Sequence, residues 1–322
     1  MLRRWQGNSP GEDLVPTPDR TVISSAYLHR RQRRHFILFD VLPFLGTLVA
    51  VGRLYSHPIG GEDIALFAAM WLLTGLGLTV GYHRLFSHRA FAVPGVVSAA
   101  LLILGSMAAR GPMISWAAIH RRHHHLSDSD GDSHSPNLHG ERLRGWLHAH
   151  LTWMIRHDYP NPRHYVPDLL AAPGLVRINR LYYVWVALSL FLPAAIGAGF
   201  GRGVSGVVDG FLWGGVVRLF LVEQSMSGIN SFLHLYGSRP FDPADNSRNS
   251  PWLGALAWGE GWHNNHHAFP YSAAFGLKWS QPDAGYWLIR GLQAVGLAWD
   301  VKLPKREPSP AGATRRMARH GS

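Results

Sequence analysis

Long apolar runs alternate along this chain with segments that are rich in arginine and histidine. After a polar N-terminal stretch, apolar residues dominate positions 36–55 and 64–82, and a short loop joins the two runs. Each run approaches the roughly 20 residues that an α-helix needs to cross a bilayer. The pattern therefore predicts a transmembrane helical hairpin.

Three further apolar runs follow, at 91–109, 181–200 and 207–235. The last two predict a second transmembrane hairpin, and a mixed, tryptophan-rich sequence comes after them. The chain is thus predicted to be an all-α integral membrane protein. Its predicted parts are an N-terminal polar and basic tail (1–35), a membrane domain (36–300) and a C-terminal basic tail (301–322).

Composition and charge support this assignment. The chain is 47% hydrophobic and 16% charged, whereas a soluble domain typically carries about 25% charged residues. Its net charge of +11 comes mainly from arginines near both ends and between residues 84 and 180, and the apolar runs are almost free of arginine. A nucleic-acid-binding protein would instead spread its basic residues over one folded face, with aromatic residues between them. The distribution favours a membrane protein without a nucleic-acid partner.

The third apolar run determines the topology. His83 and His88 directly follow the first hairpin, and a second histidine cluster at 120–125 follows the third run. If residues 91–109 crossed the bilayer, the two clusters would lie on opposite faces of the membrane. We therefore predict that this run forms an interfacial or re-entrant helix. Four transmembrane helices then place both termini and the arginine-rich segments in the cytoplasm, in agreement with the positive-inside rule.

Histidines recur at spacings that suit metal binding. Two segments carry histidines at positions i, i+3 and i+4, on one helical face: His120, His123 and His124, and His263, His266 and His267. His83 and His88 are five positions apart, which a straight α-helix would splay by roughly 140°. These two converge only if the helix ends or unwinds between them. Asn230 and His234 share one helical face at the end of the fifth run.

Nine histidines at these positions exceed the ligands that one ion needs, so the sequence predicts a two-metal site. Cysteine is absent, which excludes thiolate ligands, and imidazole favours iron, zinc, copper or nickel over magnesium or calcium. His125 is rotated off the ligand face and is excluded, and the remaining histidines, including His134, are assigned no ligand role. The second nitrogen of each ring needs an acceptor, for which the candidates are Asp128, Asp130, Asp132 and Glu260.

Four segments resemble the three histidine boxes and the additional Asn/His element of the membrane fatty acyl desaturases: "GYHRLFSHR", "IHRRHHHLSD", "NSFLHLYG" and "GEGWHNNHHAFP". The chain is most similar to the stearoyl-CoA-type delta-9 desaturases, in the bacterial form that lacks a fused haem domain. The resemblance implies a four-helix membrane fold with a cytosolic helical cap that holds a di-iron centre. It also implies an oxidoreductase that uses dioxygen to introduce a cis double bond into a saturated fatty acyl chain.

The resemblance further implies roles for individual residues. The implied iron ligands are His83, His88, His120, His123, His124, His234, His263, His266 and His267. Asn230 matches the residue that holds a metal-bound water, and Trp116 lies where the family lines its acyl tunnel. An interfacial tryptophan would fit the position of Trp116 equally well. Arg218 and Glu223, inside the fifth run, are interpreted as a structural polar network.

The resemblance also sets expectations for partners and location. The expected substrate is an acyl-CoA, and electrons are expected from a separate protein, either a ferredoxin with its reductase or a protein of the cytochrome b type. The arginines between residues 84 and 180 suit anionic coenzyme A or anionic lipid headgroups equally. We expect a multi-pass protein of the inner cell membrane, surrounded by lipid, with its active site on the cytoplasmic side.

Three other functions fit parts of the sequence. A di-iron membrane hydroxylase would use the same histidine clusters, but the box spacing and the "NSFLH" element favour a desaturase. A metal transporter with histidine-rich loops would place its ligands near the bilayer midplane. A membrane-surface scaffold would not depend on the histidines at all.

Overall fold

The structure is a computed structural model that describes residues 21–155 and 157–305. Most of the two predicted tails, residues 1–35 and 301–322, lies outside the described residues, so the division into a membrane domain and two tails stays a prediction. Helices dominate the described part. A short antiparallel ladder joins strands β1 (Val22–Ile23) and β2 (Tyr159–Pro160).

Three helices in the described part are long and apolar enough to cross a membrane: α1 (Ala26–Arg53), α2 (Gly61–Ser87) and α10 (Val204–Phe232). They contain 28, 27 and 29 residues, so each is roughly 40 Å long at 1.5 Å per residue. Helix α1 begins well before residue 36, at a point where the Ser25 side chain accepts a hydrogen bond from the Leu28 amide at 3.3 Å. The basic segment before the first apolar run therefore extends the first long helix.

A fourth candidate span is bent. Helix α8 (Pro173–Arg180) and helix α9 (Tyr182–Ala198) meet at an angle of 54° and would cross the membrane as one broken helix. Helix α9 covers most of the predicted run at 181–200. The mostly helical fold with apolar spans is thus confirmed, whereas the predicted count of four depends on this pair.

The third apolar run forms helix α3 (Gly95–Ser106), which has 12 residues. At about 18 Å it is too short for a hydrocarbon core of roughly 30 Å. It packs closely on α2, because a Cβ atom added at Gly81 would lie 2.8 Å from the carbonyl oxygen of Leu101. This short, tucked helix agrees with the prediction that the run does not cross the bilayer.

The other helices are shorter and lie between or after the long ones: α4 (Met113–Leu126), α5 (Arg142–His150), α6 (Pro162–Tyr165), α7 (Pro167–Leu170), α11 (Pro251–Leu256), α12 (His263–Ala268) and α13 (Ala284–Ala294). Single 3₁₀ turns occur at Pro136–Leu138 and Thr152–Met154. A hydrophobic core that includes Tyr82, Ala117, Val222 and Trp258 joins α2, α4, α10 and the segment before α12. Burial of these side chains holds α4 against α2 and α10.

A buried ion pair fixes the segment after α12 to α2. The Arg84 guanidinium lies 2.8 Å from a carboxylate oxygen of Asp283 and 3.9 Å from the centre of the Phe275 ring. Asp283 also accepts hydrogen bonds from the amides of Phe275 and Gly276. The segment that follows the last histidine cluster is therefore anchored to α2.

The charged residues of the fifth apolar run have partners. Arg218 is fully buried and donates hydrogen bonds to the carbonyl oxygens of Met107 at 2.8 Å and Ser189 at 3.0 Å. Glu223 forms an ion pair with Arg110 and accepts a hydrogen bond from Ser227 at 2.7 Å. These contacts agree with a structural polar network that ties α10 to α9 and to the loop between α3 and α4.

Candidate metal centre

The nine predicted histidine ligands form two compact groups within the described residues. Each ring offers one nitrogen, and in each group these nitrogens all lie within 4.8 Å of one another. The first group consists of His83, His88, His120, His124 and His266. The second group consists of His123, His234, His263 and His267. Residues from four separate segments are thus brought together as two adjacent sites.

The convergence of His83 and His88 results from a widened helix. The last part of α2, Gly77–Ser87, forms hydrogen bonds from residue i+5 to residue i. The amide of His88 accordingly donates to the carbonyl oxygen of His83 at 3.2 Å. In such a helix residue i+5 lies nearly above residue i, and the ring centroids of His83 and His88 are 5.0 Å apart. The widened helix ends at Ser87, between the two histidines, in agreement with the prediction from their five-residue spacing.

The two i, i+3, i+4 clusters are divided between the groups in opposite ways. In α4 the pair His120 and His124 enters the first group, and His123 enters the second. In α12 the pair His263 and His267 enters the second group, and His266 enters the first. At 100° per residue, the i and i+4 side chains are about 40° apart, whereas i+3 points about 60° to the other side. Each helix therefore serves both groups.

The spacing of the ring nitrogens fits metal coordination. In the first group, Nε2 atoms are 2.7 Å apart between His88 and His120 and 2.9 Å apart between His266 and His124. With metal–nitrogen bonds of about 2.1 Å, ligands at right angles lie about 3.0 Å apart, and tetrahedral ligands lie about 3.4 Å apart. The first group therefore suits an ion with five or six ligands better than a tetrahedral one.

Carboxylates hold the opposite nitrogen of four rings. The Nδ1 contacts are Glu260 to His83 (2.6 Å), Asp132 to His123 (3.0 Å), Asp128 to His234 (2.9 Å) and Asp245 to His267 (2.6 Å). Such contacts fix the ring orientation and direct Nε2 towards a metal. Three of the four predicted acceptors thus lie beside ligand candidates, whereas Asp130 is exposed. Asp245 was missed, because its loop carries no periodic pattern that relates it to α12.

Electrostatics favour the neutral form of several rings and the ionised form of nearby carboxylates, whereas Asp132 outweighs burial and raises the pKa of His123. Burial, reinforced by neighbouring histidines, lowers the pKa of His124 and His266 well below the usual range, so both rings are neutral and able to ligate a metal. Burial opposes ionisation of Asp128, but its hydrogen bond from His234 outweighs this and holds the pKa of Asp128 below its usual range. Nε2 of His267 is buried without a hydrogen-bond partner among the described residues. The donor set therefore fits metal ions.

A cavity of about 430 Å³ opens beside both groups. Its wall includes His120, His123 and Trp116. The Trp116 ring is stacked on His120, with centroids 5.0 Å apart and planes 13° apart. Trp116 thus lies in the cavity wall next to the first group, which is where a tunnel residue is expected and which differs from an exposed interfacial position.

The cavity reaches the surface at its other end. Arg31 on α1 donates hydrogen bonds to the hydroxyl oxygens of Tyr27 at 2.9 Å and Tyr183 at 3.2 Å. All three side chains are exposed and line the cavity. Arg110 and Glu223 line it as well. An acyl chain bound in this cavity would run from the N-terminal end of α1 to the histidine groups.

Three other residues complete the account of the predicted site. Asn230 lines the cavity together with His263. His125 is exposed and belongs to neither group. His134, which was assigned no ligand role, is buried and lies with His123 and Asp132 in a third cluster of possible ligands. Burial and the neighbouring His123 lower the pKa of His134 to about 3. His134 follows Asp132 by two positions, which is a weak signal in the sequence.

A membrane helix bundle with two histidine groups beside a long cavity defines a class of protein, and comparison with known proteins identifies it. The chain belongs to the fatty acid desaturase family, whose family model matches residues 64–299. The predicted family, an oxidoreductase family of lipid metabolism, is therefore confirmed.

Among characterised relatives, the hex-5-enoyl-[acyl-carrier protein] acetylenase of Moorena producens (strain JHB) is 49% identical over 288 residues, which cover 88% of this chain and 90% of that protein. The sn-1 stearoyl-lipid 9-desaturase of Anabaena variabilis is 35% identical over 274 residues, which cover 84% of this chain and 94% of that protein. The enzyme of the same name from Synechocystis sp. (strain ATCC 27184 / PCC 6803 / Kazusa) is 36% identical over 272 residues, which cover 83% of this chain and 79% of that protein.

Proposed function

We propose that the chain is an oxygen-dependent desaturase that introduces a cis double bond into a saturated fatty acyl chain. The observation that carries this proposal is the pair of adjacent histidine groups on the wall of a cavity deep enough to admit a chain. Removal of hydrogen from an unactivated methylene group is beyond acid–base or nucleophilic side-chain chemistry. Two bound iron ions would supply the reductive activation of dioxygen that this reaction needs.

The proposed ligands of the first iron are the five rings of the first group, and those of the second iron are the four rings of the second group. Asn230, beside His263 in the cavity wall, is proposed to hold a water at the second ion. Imidazole ligands suit iron. They also leave the charge of the ions uncompensated, whereas the carboxylates stay one step removed, at Nδ1 of the rings.

The residues of the chain position the substrate and exclude water. Trp116 forms a flat wall next to His120, so a methylene chain lying on the indole would pass close to the first group. Ile119, Met226 and Ile229 supply apolar contacts in the same cavity. Correct placement of the reacting carbons accounts for a large part of the rate in such reactions. The product is expected to be a single double-bond isomer.

For the acyl carrier we propose coenzyme A, and for the reacting position the ninth carbon, as the motif resemblance implies. The arginines between residues 84 and 180 provide a cationic surface for such a carrier. The relatives are named for acyl-carrier-protein and lipid substrates. An assay must therefore supply the acyl chain on all three carriers. Electrons are proposed to come from a separate ferredoxin or cytochrome b-type protein.

We further propose that α1, α2, the α8–α9 pair and α10 cross the inner cell membrane, with both termini, the short helices and the metal centre on the cytoplasmic side. The histidines lie at or beyond the ends of the long helices: His83 is in the last turns of α2, and His234 follows α10. This placement supports an enzyme rather than a metal transporter. Labelling of single introduced cysteines in intact cells tests the arrangement, since positions near α4 and α12 must label from the same side.

Expression in a host that lacks unsaturated fatty acids tests the function. Mass spectrometry of the lipids should show one new cis alkene, and the purified protein should contain iron. An alcohol product would instead indicate a hydroxylase, and unchanged lipids with metal uptake into vesicles would indicate a transporter. His263→Ala with His267→Ala must abolish the alkene, because both rings belong to the second group.

A further inference from the structure

Helix α13 (Ala284–Ala294) presents apolar side chains on its outer face. The Trp287 side chain is 62% exposed, and Val295, which caps the helix, is 70% exposed. Gly291, one turn after Trp287, is exposed as well. Large apolar side chains that are exposed together usually mark a contact with a partner or with a membrane. Helix α13 is therefore a candidate interaction surface.

The opposite face of α13 packs against the apolar part of α2. Ile289 is fully buried and belongs to a hydrophobic cluster with Val80 of α2 and Leu101 of α3. Leu76 of α2 packs against the same cluster. Leu76 and Val80 both lie in the apolar run 64–82, which would span the hydrocarbon core if α2 crosses the membrane. Helix α13 therefore lies beside the membrane-spanning part of α2, at the depth of one leaflet.

The exposed surface of α13 adjoins surfaces that would contact lipid. Leu72 and Leu73 of α2 are exposed, one turn before Leu76. On the other side, Ala92 and Trp299 exchange backbone hydrogen bonds at 2.8 and 2.9 Å, which join the segment after α13 to the segment before α3. The Trp299 side chain is exposed. The outer face of α13 thus continues the apolar surface of the proposed membrane helices.

The polar and apolar edges of α13 indicate its orientation. At about 100° per residue, Arg290 lies about 60° to one side of Trp287, and Val295 lies about 80° to the other side. The edge with Arg290 is polar, because this side chain donates a hydrogen bond to Gln293 at 2.7 Å. Gly291 and Val295 form the apolar edge. Tryptophan is enriched at the boundary between membrane and water, and Trp287 lies between the two edges. This arrangement suits a helix in the plane of the membrane.

We propose that α13 is an in-plane membrane helix whose partner is the cytoplasmic leaflet of the bilayer. Its apolar edge would enter the acyl-chain region, and Arg290 would stay among the headgroups and water. The proposal rests on the proposed membrane arrangement, goes beyond the desaturase function and does not depend on it.

Contact with the leaflet would also position the metal centre. Asp283, the N-cap residue of α13, forms the buried ion pair with Arg84 at 2.8 Å. The indole of Trp262 donates a hydrogen bond to the carbonyl oxygen of Pro282 at 2.8 Å. Arg84 and Trp262 are each adjacent in sequence to a proposed metal ligand. Binding of α13 to lipid would therefore fix the two histidine groups at a defined distance from the bilayer.

Spin labelling tests the depth of α13. The chain contains no cysteine, so a single introduced cysteine can carry a nitroxide without background. Gly291→Cys is suitable, because a Cβ atom at Gly291 would have no neighbour within 4 Å. The labelled protein is placed in nanodiscs of phosphatidylcholine and phosphatidylglycerol. Power saturation of the nitroxide then compares its access to oxygen, which concentrates in lipid, with its access to a water-soluble nickel complex. The label in Gly291→Cys should be accessible to oxygen and poorly accessible to nickel.

Two positions serve as matched controls. Asp242→Cys replaces a residue whose carboxylate is 73% exposed, and its label should be several-fold more accessible to nickel than the label in Gly291→Cys. Arg290→Cys is on the polar edge of the same helix and should give a value between these two. Val295→Cys, on the apolar edge, should be at least as shielded from nickel as Gly291→Cys.

The two reagents distinguish lipid from the other possible surroundings. Equal access of nickel to the labels in Gly291→Cys and Asp242→Cys would place α13 in water and overturn the proposal. Low access of both oxygen and nickel in Gly291→Cys would mean that protein covers the helix, either a second copy or another segment, and would overturn it as well. Equal values for Arg290→Cys and Val295→Cys would overturn the in-plane orientation. The measurement needs neither iron nor substrate, so its outcome is separate from that of the desaturase assay.

Discussion

Glu260 accepts a hydrogen bond from Nδ1 of His83 at 2.6 Å, although the two residues are 177 positions apart. Glu260 also accepts a hydrogen bond from Thr79, one turn earlier on α2. The carboxylate therefore links the widened end of α2 to the segment that leads into α12. It holds one ring of the first histidine group in a fixed orientation.

Removal of this carboxylate should weaken metal binding. Glu260→Ala leaves the His83 ring free to rotate, and we expect the affinity for iron to fall by about 10- to 100-fold. A competition titration with a chelator measures the effect. Asp130→Ala removes an exposed carboxylate near the second cluster and serves as the control. An unchanged affinity in Glu260→Ala would show that His83 does not need this partner.

Loss of a proposed ligand should lower both iron content and activity. His266→Ala removes one of five nitrogens from the first group, so we expect bound iron to fall by at least about half and the alkene to disappear. Elemental analysis and lipid mass spectrometry measure the two effects. His125→Ala, at an exposed position outside both groups, should change neither. A comparable loss in that control would contradict the assignment of helical faces in α4.

Replacement of Trp116 should affect the reaction more than the metal. Trp116→Ala removes the flat wall beside His120, so the chain is held less precisely, and we expect kcat/KM to fall by about 100-fold. The double bond should also spread over neighbouring positions, while iron content stays close to normal. Trp116→Phe keeps a flat ring and should retain most of the selectivity. A single isomer at the normal rate from Trp116→Ala would argue against a tunnel wall.

Disruption of the Arg84–Asp283 ion pair should destabilise the fold without a metal being involved. Asp283→Ala leaves a buried guanidinium unpaired, which typically costs about 3–5 kcal/mol. Thermal unfolding of the iron-free protein in detergent measures the change. Asp242→Ala breaks an ion pair whose carboxylate is 73% exposed, so its effect should stay within about 1 kcal/mol. Equal effects of the two variants would mean that burial does not determine the strength of this pair.

Much of the site follows from local spacing. The i, i+3, i+4 clusters predict histidine-bearing helices, and α4 and α12 are found at these positions. Apolar length predicts the long helices, because a membrane requires about 20 residues whatever the fold. The sequence also predicts that the run before α4 does not cross, since His88 and His120 must share one side of the membrane. The first two features depend only on residues close together in the chain, whereas the third also depends on the two histidine clusters sharing a site.

Other features depend on contacts between distant residues. The spacing of His83 and His88 predicts that the helix ends or unwinds between them, but not that α2 widens into a π-helix over Gly77–Ser87. Asp245 acts through His267, 22 positions away in an irregular segment. The start of α1 at Ala26 lies in a basic stretch with few apolar residues. In each case tertiary contacts outweigh local propensity.

Because α4 and α12 each contribute histidines to both groups, the affinities of the two proposed metal sites should be coupled. An ion bound in either group would immobilise both α4 and α12, and it would thereby order the nitrogens of the other group. Binding of the first ion would include most of the entropic cost of ordering the two helices, so the second ion should bind more tightly than the first. Half-filled molecules should accordingly be scarce during assembly, and the centre should form or empty as a unit.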